Sequence, residues 1–459
     1  MARKHKKKKS QSVKMLHKIK PDSAGIDIGA TEIYVAVPED RSSTPVRHFD
    51  TFTDDLHSAA KWLKSCNIKT IAMESTGVYW IPVFQILEAY GFEVFLVNAR
   101  HVKNVPGRKT DVQDCQWLQY LHSVGLLSGS FRPTQDVCAV RSLLRHRDSM
   151  VKMSATHIKH MHKALTQMNL QIHNVIRDIT GLTGLAIVDT ILAGERNPKK
   201  LASLKHGRIK ASDEVIIKSL KGDYLPEHLF TLNQALQAYR YYREMIDLCD
   251  IEIKAYLQKF ESRVDPTQKP PPSPRIKKKK ATGNEPKFDI RSQLYRILGT
   301  DLTQVDGISV LTAHTIFAEI GPDLSKFPTV NHFCSWLGLC PNNKISGGRI
   351  LSSRTRPGSN RAAQSLRLAA RALWKSQSFL GHFYRRMRAR HGSPKAITAT
   401  AHKLARIVFH LIKTGKTYDE TVFANQEALH KQRLQDRLKK HAKSLGFQLV
   451  ALDDEAFVI

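Results

Sequence analysis

The chain has 459 residues, of which 72 are Lys or Arg and 41 are Asp or Glu, so its formal net charge is +31. A hydrophobic content of 41% is typical of a folded protein and argues against intrinsic disorder. No apolar run reaches the roughly 18–20 residues that span a bilayer, and the six Cys lack the paired spacing of a disulfide framework or a zinc ribbon. The charge therefore predicts a polyanionic partner, most simply a nucleic acid, inside a reducing cell compartment.

Residues 1–22 form a lysine-rich tail, which is typical of a disordered arm with non-specific phosphate affinity. Residues 23–132 predict an α/β domain. Strands are expected in AGIDIGATEIYVAVPED, HFDTF, KTIAMEST and EVFLVNA, with helices from an N-cap at Asp54, from Val78 and from near Thr110. Three strands followed by alternating helices and strands predict a mixed sheet.

Beyond residue 132 the strand signal ends and apolar residues recur at helical spacing. We expect a long helical middle, a linker, a mainly α C-terminal domain with one Gly-rich interruption, and a tail: 133–264, 265–290, 291–420 and 421–459. The helical runs 136–178 and 226–262 are long enough for an antiparallel or an intermolecular coiled coil. The linker is rich in Pro and Lys.

The segment VDGISVLTAHTIFAEIG predicts a helix-hairpin-helix, with Gly307 in the turn and Ser309 as the N-cap of the second helix. Such a turn offers backbone N–H groups to phosphates. A serine stands at the place of the usual second glycine, so a hairpin that only packs is an equal alternative.

Four acidic residues of the first domain are candidate metal ligands: Asp27, Glu74, Asp111 and Asp114. Asp27 lies between two isoleucines of a strand, where a carboxylate needs a partner. Glu74 ends a strand, at the edge where ligands of open α/β sheets gather. Asp111 and Asp114 are three residues apart on a helix and share a face. Convergent carboxylates suit Mg²⁺, and two such ions can activate a nucleophile and stabilise a leaving oxygen.

A plainer interpretation is that Asp111 caps its helix and that Glu74 is a solvated strand end. Spacing alone does not decide between the two interpretations.

The order GIDIG, AMESTG, GRKTDVQD resembles the DEDD transposases of insertion sequences, whose first domain is similar to the RuvC Holliday-junction resolvase. In that family the acids lie in a GID strand, an E-[AS]-T-G turn and a K-[TS]-D-x-x-D helix. These motifs match Asp27, Glu74, Asp111 and Asp114 in order. The resemblance implies that the four acids are catalytic and hold Mg²⁺, two ions in number, with Mn²⁺ as a substitute.

A second resemblance lies in FCSWLGLCPNNKISGGRILSSRTRPGSNRAAQSLRLAARALW. The same transposases carry a G-L-x-P turn, a Ser-Gly pair and a basic helix in their C-terminal domain. The resemblance implies that Ser346 is a nucleophile that holds DNA covalently, although Ser352, Ser353, Ser359 and Ser365 are rivals; we also expect Ser359 to cap the helix after Asn360. The basic residues expected to contact phosphates are Lys109, Lys344, Arg349, Arg354, Arg356 and Arg361.

Taken together, these features predict a DNA transposase or recombinase that cuts and rejoins strands. What is known of the family implies element-end and target DNA as partners and a structured non-coding guide RNA. It also implies a homodimer or tetramer whose site is composed from two protomers, with the helical middle, 133–264, as the oligomerisation region. We expect no membrane partner and a place in the prokaryotic cytoplasm at the nucleoid. One alternative is a metal-only junction resolvase in which Ser346 is structural. A second is a nucleic-acid-binding protein without catalysis, whose acids serve as caps and ion-pair partners.

Overall fold

The computed structural model describes residues 17–75, 77–97, 111–274 and 283–448, and the chain divides into two compact units, Met1–Arg132 and Pro133–Ile459. Most of the lysine-rich tail and Lys109 lie outside the described residues. Within the described ranges no helix is long and apolar enough to cross a membrane.

The first unit is an α/β fold built on a five-stranded mixed sheet, as the sequence predicts. Its elements in chain order are β1 Ser23–Ile28, β2 Glu32–Ala36, β3 Val46–Asp50, α1 Thr53–Ser65, β4 Thr70–Glu74, α2 Trp80–Ala89, β5 Glu93–Val97 and α3 Asp111–Ser123. The strand order is β3-β2-β1-β4-β5, in which β1, β2 and β3 are antiparallel neighbours and β1, β4 and β5 are parallel. This arrangement and the helices agree with an RNase H-like domain.

Alternation along β1 gives the sheet two differently covered faces. Ile26 and Ile28 belong to the buried cluster that contains the apolar residues of α1 and α2. Gly25 lies on the opposite face, under α3, where a Cβ atom would come within 2.3 Å of the Cys115 carbonyl oxygen. The glycine therefore lets the backbone of α3 approach β1 directly.

The start of α1 differs from the sequence-based expectation. The helix begins at Thr53 after Phe52, and no side chain caps it. Asp54 lies in the first turn instead of at the N-cap, where its negative charge still faces the positive end of the helix dipole.

The second unit is almost entirely helical. Its elements are α4 Gln135–Gln167, α5 Ile172–Val175, α6 Leu182–Leu192, α7 Pro198–Ala202, α8 Asp213–Ser219, α9 Pro226–Gln258, α10 Ile290–Leu298, α11 Val310–Ile320, α12 Val330–Trp336, β6 Lys344–Ser346, β7 Arg349–Ser352, α13 Arg361–Ala372, α14 Phe379–His391, α15 Ser393–Thr414 and α16 Ala424–Ser444. Short 3-10 turns lie at Leu302–Gln304, Leu373–Lys375 and Thr421–Phe423.

The two long helices α4 and α9 pack against each other within one chain. Arg147 of α4 forms a buried ion pair of 2.5 Å with Asp250 of α9, and His157 stacks on Tyr242. Residue numbers rise along α4 as they fall along α9, so the pair is antiparallel. The two predicted helical runs therefore pair with each other within the chain.

The Pro- and Lys-rich linker is tied to the helices at both of its described ends. Arg147 donates a hydrogen bond of 3.2 Å to the Asn284 carbonyl oxygen, and Arg243 donates one of 3.1 Å to the carbonyl oxygen of Gly283. On the other side, the Arg291 guanidinium bonds the carbonyl oxygen of Pro272. The described flanks of the linker are therefore held in place, and 275–282 lies outside the described residues.

The Gly-rich interruption of the C-terminal region is a β-hairpin. Strands β6 and β7 pair antiparallel around Gly347 and Gly348, whose φ angles are +54° and +74°. Positive φ at both turn residues is the signature of a type I′ hairpin, which glycines adopt without strain.

Candidate functional site

Asp27 and Glu74 lie side by side on two parallel strands. The register pairs Ile26 of β1 with Met73 of β4, so the next residue of each strand is Asp27 and Glu74 respectively. Neighbouring positions in a ladder point to the same face of the sheet. Asp27 is half-buried, and its Oδ1 accepts a hydrogen bond of 3.1 Å from the backbone N–H of Ile28.

Helix α3 brings the other two acids to the same face. Asp111 is its first described residue and is exposed, and Asp114 lies one turn later and is half-buried. Because Gly25 allows α3 to contact β1 through backbone atoms, the first turn of α3 lies beside the end of the strand that carries Asp27.

The pKa of Asp27 records this convergence. Burial, which is the largest cause, and the negative charges of Asp111, Asp114 and Glu74 together raise it from 3.8 to about 6. The N–H of Ile28 acts in the opposite direction. The other three acids predicted from the sequence are thus all within electrostatic reach of Asp27.

A hard divalent cation fits this donor set. Carboxylate oxygens are the ligands that Mg²⁺ prefers, and a dication would remove the repulsion that raises the pKa of Asp27. In the part of the chain that the structure describes, no three His, Cys, Asp or Glu side chains are already arranged to hold a metal ion. The acids are therefore close without forming a finished coordination shell.

Two neighbours of the carboxylates were missed by the sequence analysis. Tyr34 lies opposite Asp27 in the antiparallel ladder, and burial raises its pKa with further contributions from Glu32 and Asp111. Cys115 follows Asp114, and burial together with the charge of Asp27 raises the pKa of its thiol to about 12. The pairing of β1 with β2 was the only signal that could have identified Tyr34.

Ser346 is the last residue of β6, at the tip of the hairpin. It pairs with Arg349 across the turn, and both residues are exposed. Residues directly opposite in an antiparallel pair share a face, so the hydroxyl and the guanidinium lie on the same side of the hairpin. Within the described residues neither side chain has a hydrogen bond or an ion pair, so both groups face solvent. Lys344, at the start of β6, is also exposed.

The structure separates the remaining predicted basic residues. Arg354 and Arg356 follow the hairpin and are exposed. Arg361 instead donates to Asp148 of α4 at 3.1 Å, so part of its charge is already neutralised. The exposed basic residues therefore belong to the hairpin and to the segment that follows it. The charge of Arg361 is partly offset by Asp148.

The rival serines are placed differently from Ser346. Ser352 accepts a hydrogen bond of 3.4 Å from the N–H of Arg354. The prediction that Ser359 caps the next helix is wrong, because Asn360 is the N-cap of α13 and accepts from the N–H of Ala363 at 3.0 Å. An amide side chain one residue closer to the helix competes successfully for that position.

The turn predicted as a helix-hairpin-helix packs against α13 through Gly307, while Ser309 is exposed. Ser309 caps α11 as expected, with its hydroxyl accepting from the N–H of Thr312 at 3.2 Å. Gly307 has a φ of +87°, and a Cβ atom there would lie 2.7 Å from the Ala369 carbonyl oxygen on α13. The glycine thus serves a close helix contact.

A basic cleft of about 1150 Å³, which we call the α14–α15 cleft, adjoins the base of the hairpin. It was not anticipated from the sequence. None of its lining residues is acidic; they are Leu339, Pro341, Ser353, Arg354, Thr355, Phe383, Met387, His391, Pro394, Lys395, Thr398, Ala399, His402, Lys403 and Arg406. Basic residues spaced by seven and four along α15 were the signal available in the sequence.

Comparison with known proteins gives two family matches. A model of the DEDD type named after IS110 and described as "Transposase" matches residues 24–170. A second, described as "Transposase IS116/IS110/IS902 family", matches residues 299–385. The first range contains all four acids, and the second contains Ser346 and the hairpin.

A similar curated protein comes from Streptomyces coelicolor and is named "Insertion element IS110 uncharacterized 43.6 kDa protein". The two chains are 30% identical over 128 residues, which is 28% of this chain and 31% of that protein. The match therefore spans about a third of the relative.

Proposed function

Because the chain belongs to the IS110 family of DEDD transposases, we propose that it is an insertion-sequence transposase that cuts and rejoins DNA strands. The observation that carries this proposal is the convergence of four carboxylates on one face of the sheet, in a chain whose net charge is +31. Acids beside phosphates are tolerated when a cation lies between them. The basic surfaces supply affinity for DNA, and the acids supply the place where it is cut.

Asp27, Glu74, Asp111 and Asp114 would hold Mg²⁺, as one or two ions, with Mn²⁺ able to replace it. The metal would activate the attacking oxygen and stabilise the leaving one. The chain's own contribution is to fix the acids: the parallel register aligns Asp27 with Glu74, and Gly25 holds α3 against β1.

Ser346 would be the nucleophile for strand cleavage. Its Oγ attacks the phosphorus of a phosphodiester, the bond to the leaving sugar oxygen breaks, and that oxygen takes a proton. One DNA end stays bound as a phosphoserine, which a free sugar hydroxyl attacks in the rejoining step. Arg349, on the same side of the hairpin, would donate hydrogen bonds to the phosphate oxygens as charge develops.

We also propose partners and setting that the family resemblance implies. These are element-end and target DNA, a structured guide RNA, a homodimer or tetramer, and action on nucleoid DNA in the cytoplasm. Of the basic residues, Lys109, Lys344, Arg354 and Arg356 would contact phosphates. Arg361 would do so only after release from Asp148.

Two variants test the mechanism in one assay, in which labelled element-end DNA is incubated with Mg²⁺ and the RNA transcribed from the element. We expect Asp27→Asn to abolish cleavage and Ser346→Ala to abolish both cleavage and the covalent protein–DNA adduct. Matched controls are Asp50→Asn, an exposed acid at the end of β3, and Ser203→Ala, at an exposed serine of the second unit outside the α14–α15 cleft. Both controls should cleave like the wild type.

Metal binding has its own readout in thermal unfolding. We expect millimolar Mg²⁺ to raise the melting temperature of the wild type and of Asp50→Asn, and to leave that of Asp27→Asn unchanged. Normal cleavage by Ser346→Ala would favour the metal-only resolvase. Absence of cleavage by the wild type with DNA ends and RNA present would favour the binding-only alternative.

A further inference from the structure

The α14–α15 cleft combines size, charge and apolar surface in one concavity. Its volume of about 1150 Å³ lies just above that of sites that enclose small ligands, roughly 300–1,000 Å³. Arg354, Lys395 and Arg406 bring positive charge to it, and the lining contains no Asp or Glu. Phe383 and Met387 supply apolar surface on the α14 side. The cleft therefore offers cations and an apolar wall to the same ligand.

The cations of the cleft are not neutralised by carboxylates of the described chain. Arg354 and Lys395 are exposed and take part in no ion pair within the described residues. Arg406 donates a hydrogen bond of 3.3 Å to the side-chain oxygen of Asn331. Because this amide is neutral, it does not offset the positive charge of Arg406. Lys403 lies over the rings of Phe379 and Phe383 at 4.5 and 4.8 Å, and burial lowers its pKa. A polyanion would supply the counter-charge that these residues lack.

The chemistry of the lining selects the ligand. A duplex presents phosphates on the outside and stacked bases inside, so it meets cations but leaves an apolar wall unused. An unpaired strand presents phosphates together with exposed base faces, which contact aromatic and apolar side chains. The cleft offers basic side chains to the phosphate and apolar side chains to the base of such a nucleotide.

We propose that the α14–α15 cleft binds unpaired nucleotides of a nucleic-acid strand, with phosphates on Arg354, Lys395 and Arg406 and a base against Phe383. The proposal deepens the proposed function, on which it rests for the origin of the strand. Because Arg354 follows the hairpin closely in sequence, a strand held here would continue past Ser346. DNA and RNA share this chemistry and are separated by the test.

The test measures binding of the full chain, in EDTA so that nothing is cut, to a fluorescent 15-mer as single-stranded DNA, as RNA and as duplex DNA. The Arg354→Gln/Lys395→Gln variant should bind the preferred single strand about tenfold more weakly. The slope of the logarithm of the binding constant against the logarithm of the salt concentration should become shallower by about 1.4. This corresponds to about 0.7 for each of the two phosphates that the variant no longer neutralises. The matched control, Lys254→Gln/Arg371→Gln, removes the same charge at exposed positions outside the cleft and should keep the wild-type slope.

Phe383→Leu separates stacking from charge. It should weaken single-strand binding about fivefold or more with the salt slope unchanged. Circular dichroism of each variant establishes that it is folded. If the cleft variant binds single strands like the control, or if duplex binding weakens to the same degree, the proposal is wrong. If the cleft proposal fails in this way but the wild type still cleaves DNA, the proposed function stands. If binding depends on the cleft but the wild type cuts no DNA, the proposed function is wrong and the cleft proposal stands.

Discussion

A carboxylate between two buried isoleucines is costly to a strand, and at Asp27 three further acids increase that cost. The residue type was therefore informative in the sequence, because a charge in such a place needs a compensating partner. Of the residues around Asp27, only the three acids that lie in recognisable motifs could be predicted from the sequence. Tyr34 and Cys115 carry no motif, and they join the site through pairing and packing.

His314 of α11 predicts an acid-sensitive stability. It is fully buried, neither ring nitrogen has a hydrogen-bond partner among the described residues, and burial lowers its pKa to about 3. The unfolded chain protonates this residue near pH 6.5, so it binds more protons than the folded chain between pH 6.5 and about 3. As the pH falls through that interval, stability should decrease by about 1.4 kcal/mol per pH unit from this residue alone.

Urea unfolding at several pH values between 4.5 and 7 measures this effect. In His314→Leu the free energy of unfolding should fall less steeply with decreasing pH, by about 1.4 kcal/mol per pH unit, because one fewer proton is taken up on unfolding. Its stability at pH 7 should be kept, because the buried unsatisfied nitrogens are removed. The exposed His410 is the control, and His410→Leu should follow the wild-type curve. Equal slopes for His314→Leu and the wild type would contradict the prediction.

At the scale of elements, strands and long helices followed from alternation and helical spacing, and the mixed sheet followed from their order. The β6–β7 hairpin did not, because strands of three and four residues are too short for a period to be recognised. The partner of α4 could not be predicted either. The same apolar stripe suits a helix of the same chain or of another.

The approach of α3 to β1 predicts a large effect of one methyl group. Gly25→Ala would place a Cβ atom 2.3 Å from the Cys115 carbonyl oxygen and from the Gln119 backbone nitrogen. Since backbone cannot yield as a flexible side chain can, we expect a loss of about 3 kcal/mol in unfolding free energy. Because the displaced α3 carries Asp111 and Asp114, the variant protein should also no longer be stabilised by Mg²⁺.

Gly129→Ala is the matched control, because its Cβ atom would meet only the Phe95 ring, at 3.0 Å. We expect it to cost about 1 kcal/mol or less and to keep the response to Mg²⁺. Denaturant unfolding with and without the metal compares the two variants. A Gly25→Ala protein as stable as Gly129→Ala would show that α3 is not held by this contact.

At the scale of the whole molecule, each of the two units has a buried core of its own. We therefore expect residues 1–132 and 133–459 to fold when expressed separately. The first should keep its stabilisation by Mg²⁺, and the second should keep the salt slope for single-strand binding. Neither alone should cut DNA, since Asp27 and Ser346 belong to different units. Cooperative melting and the cleavage assay check these expectations, and cleavage by either fragment would contradict them.

The anchored flanks of the Pro- and Lys-rich segment have a practical consequence for work on this protein. Hydrogen bonds hold Pro272 and Ser273 before the segment and Gly283 and Asn284 after it. Doubling the length of a loop between fixed ends costs only about 0.6 kcal/mol. An epitope or a fluorophore-binding peptide inserted at 275–282 would thus label the molecule internally while both of its termini stay native.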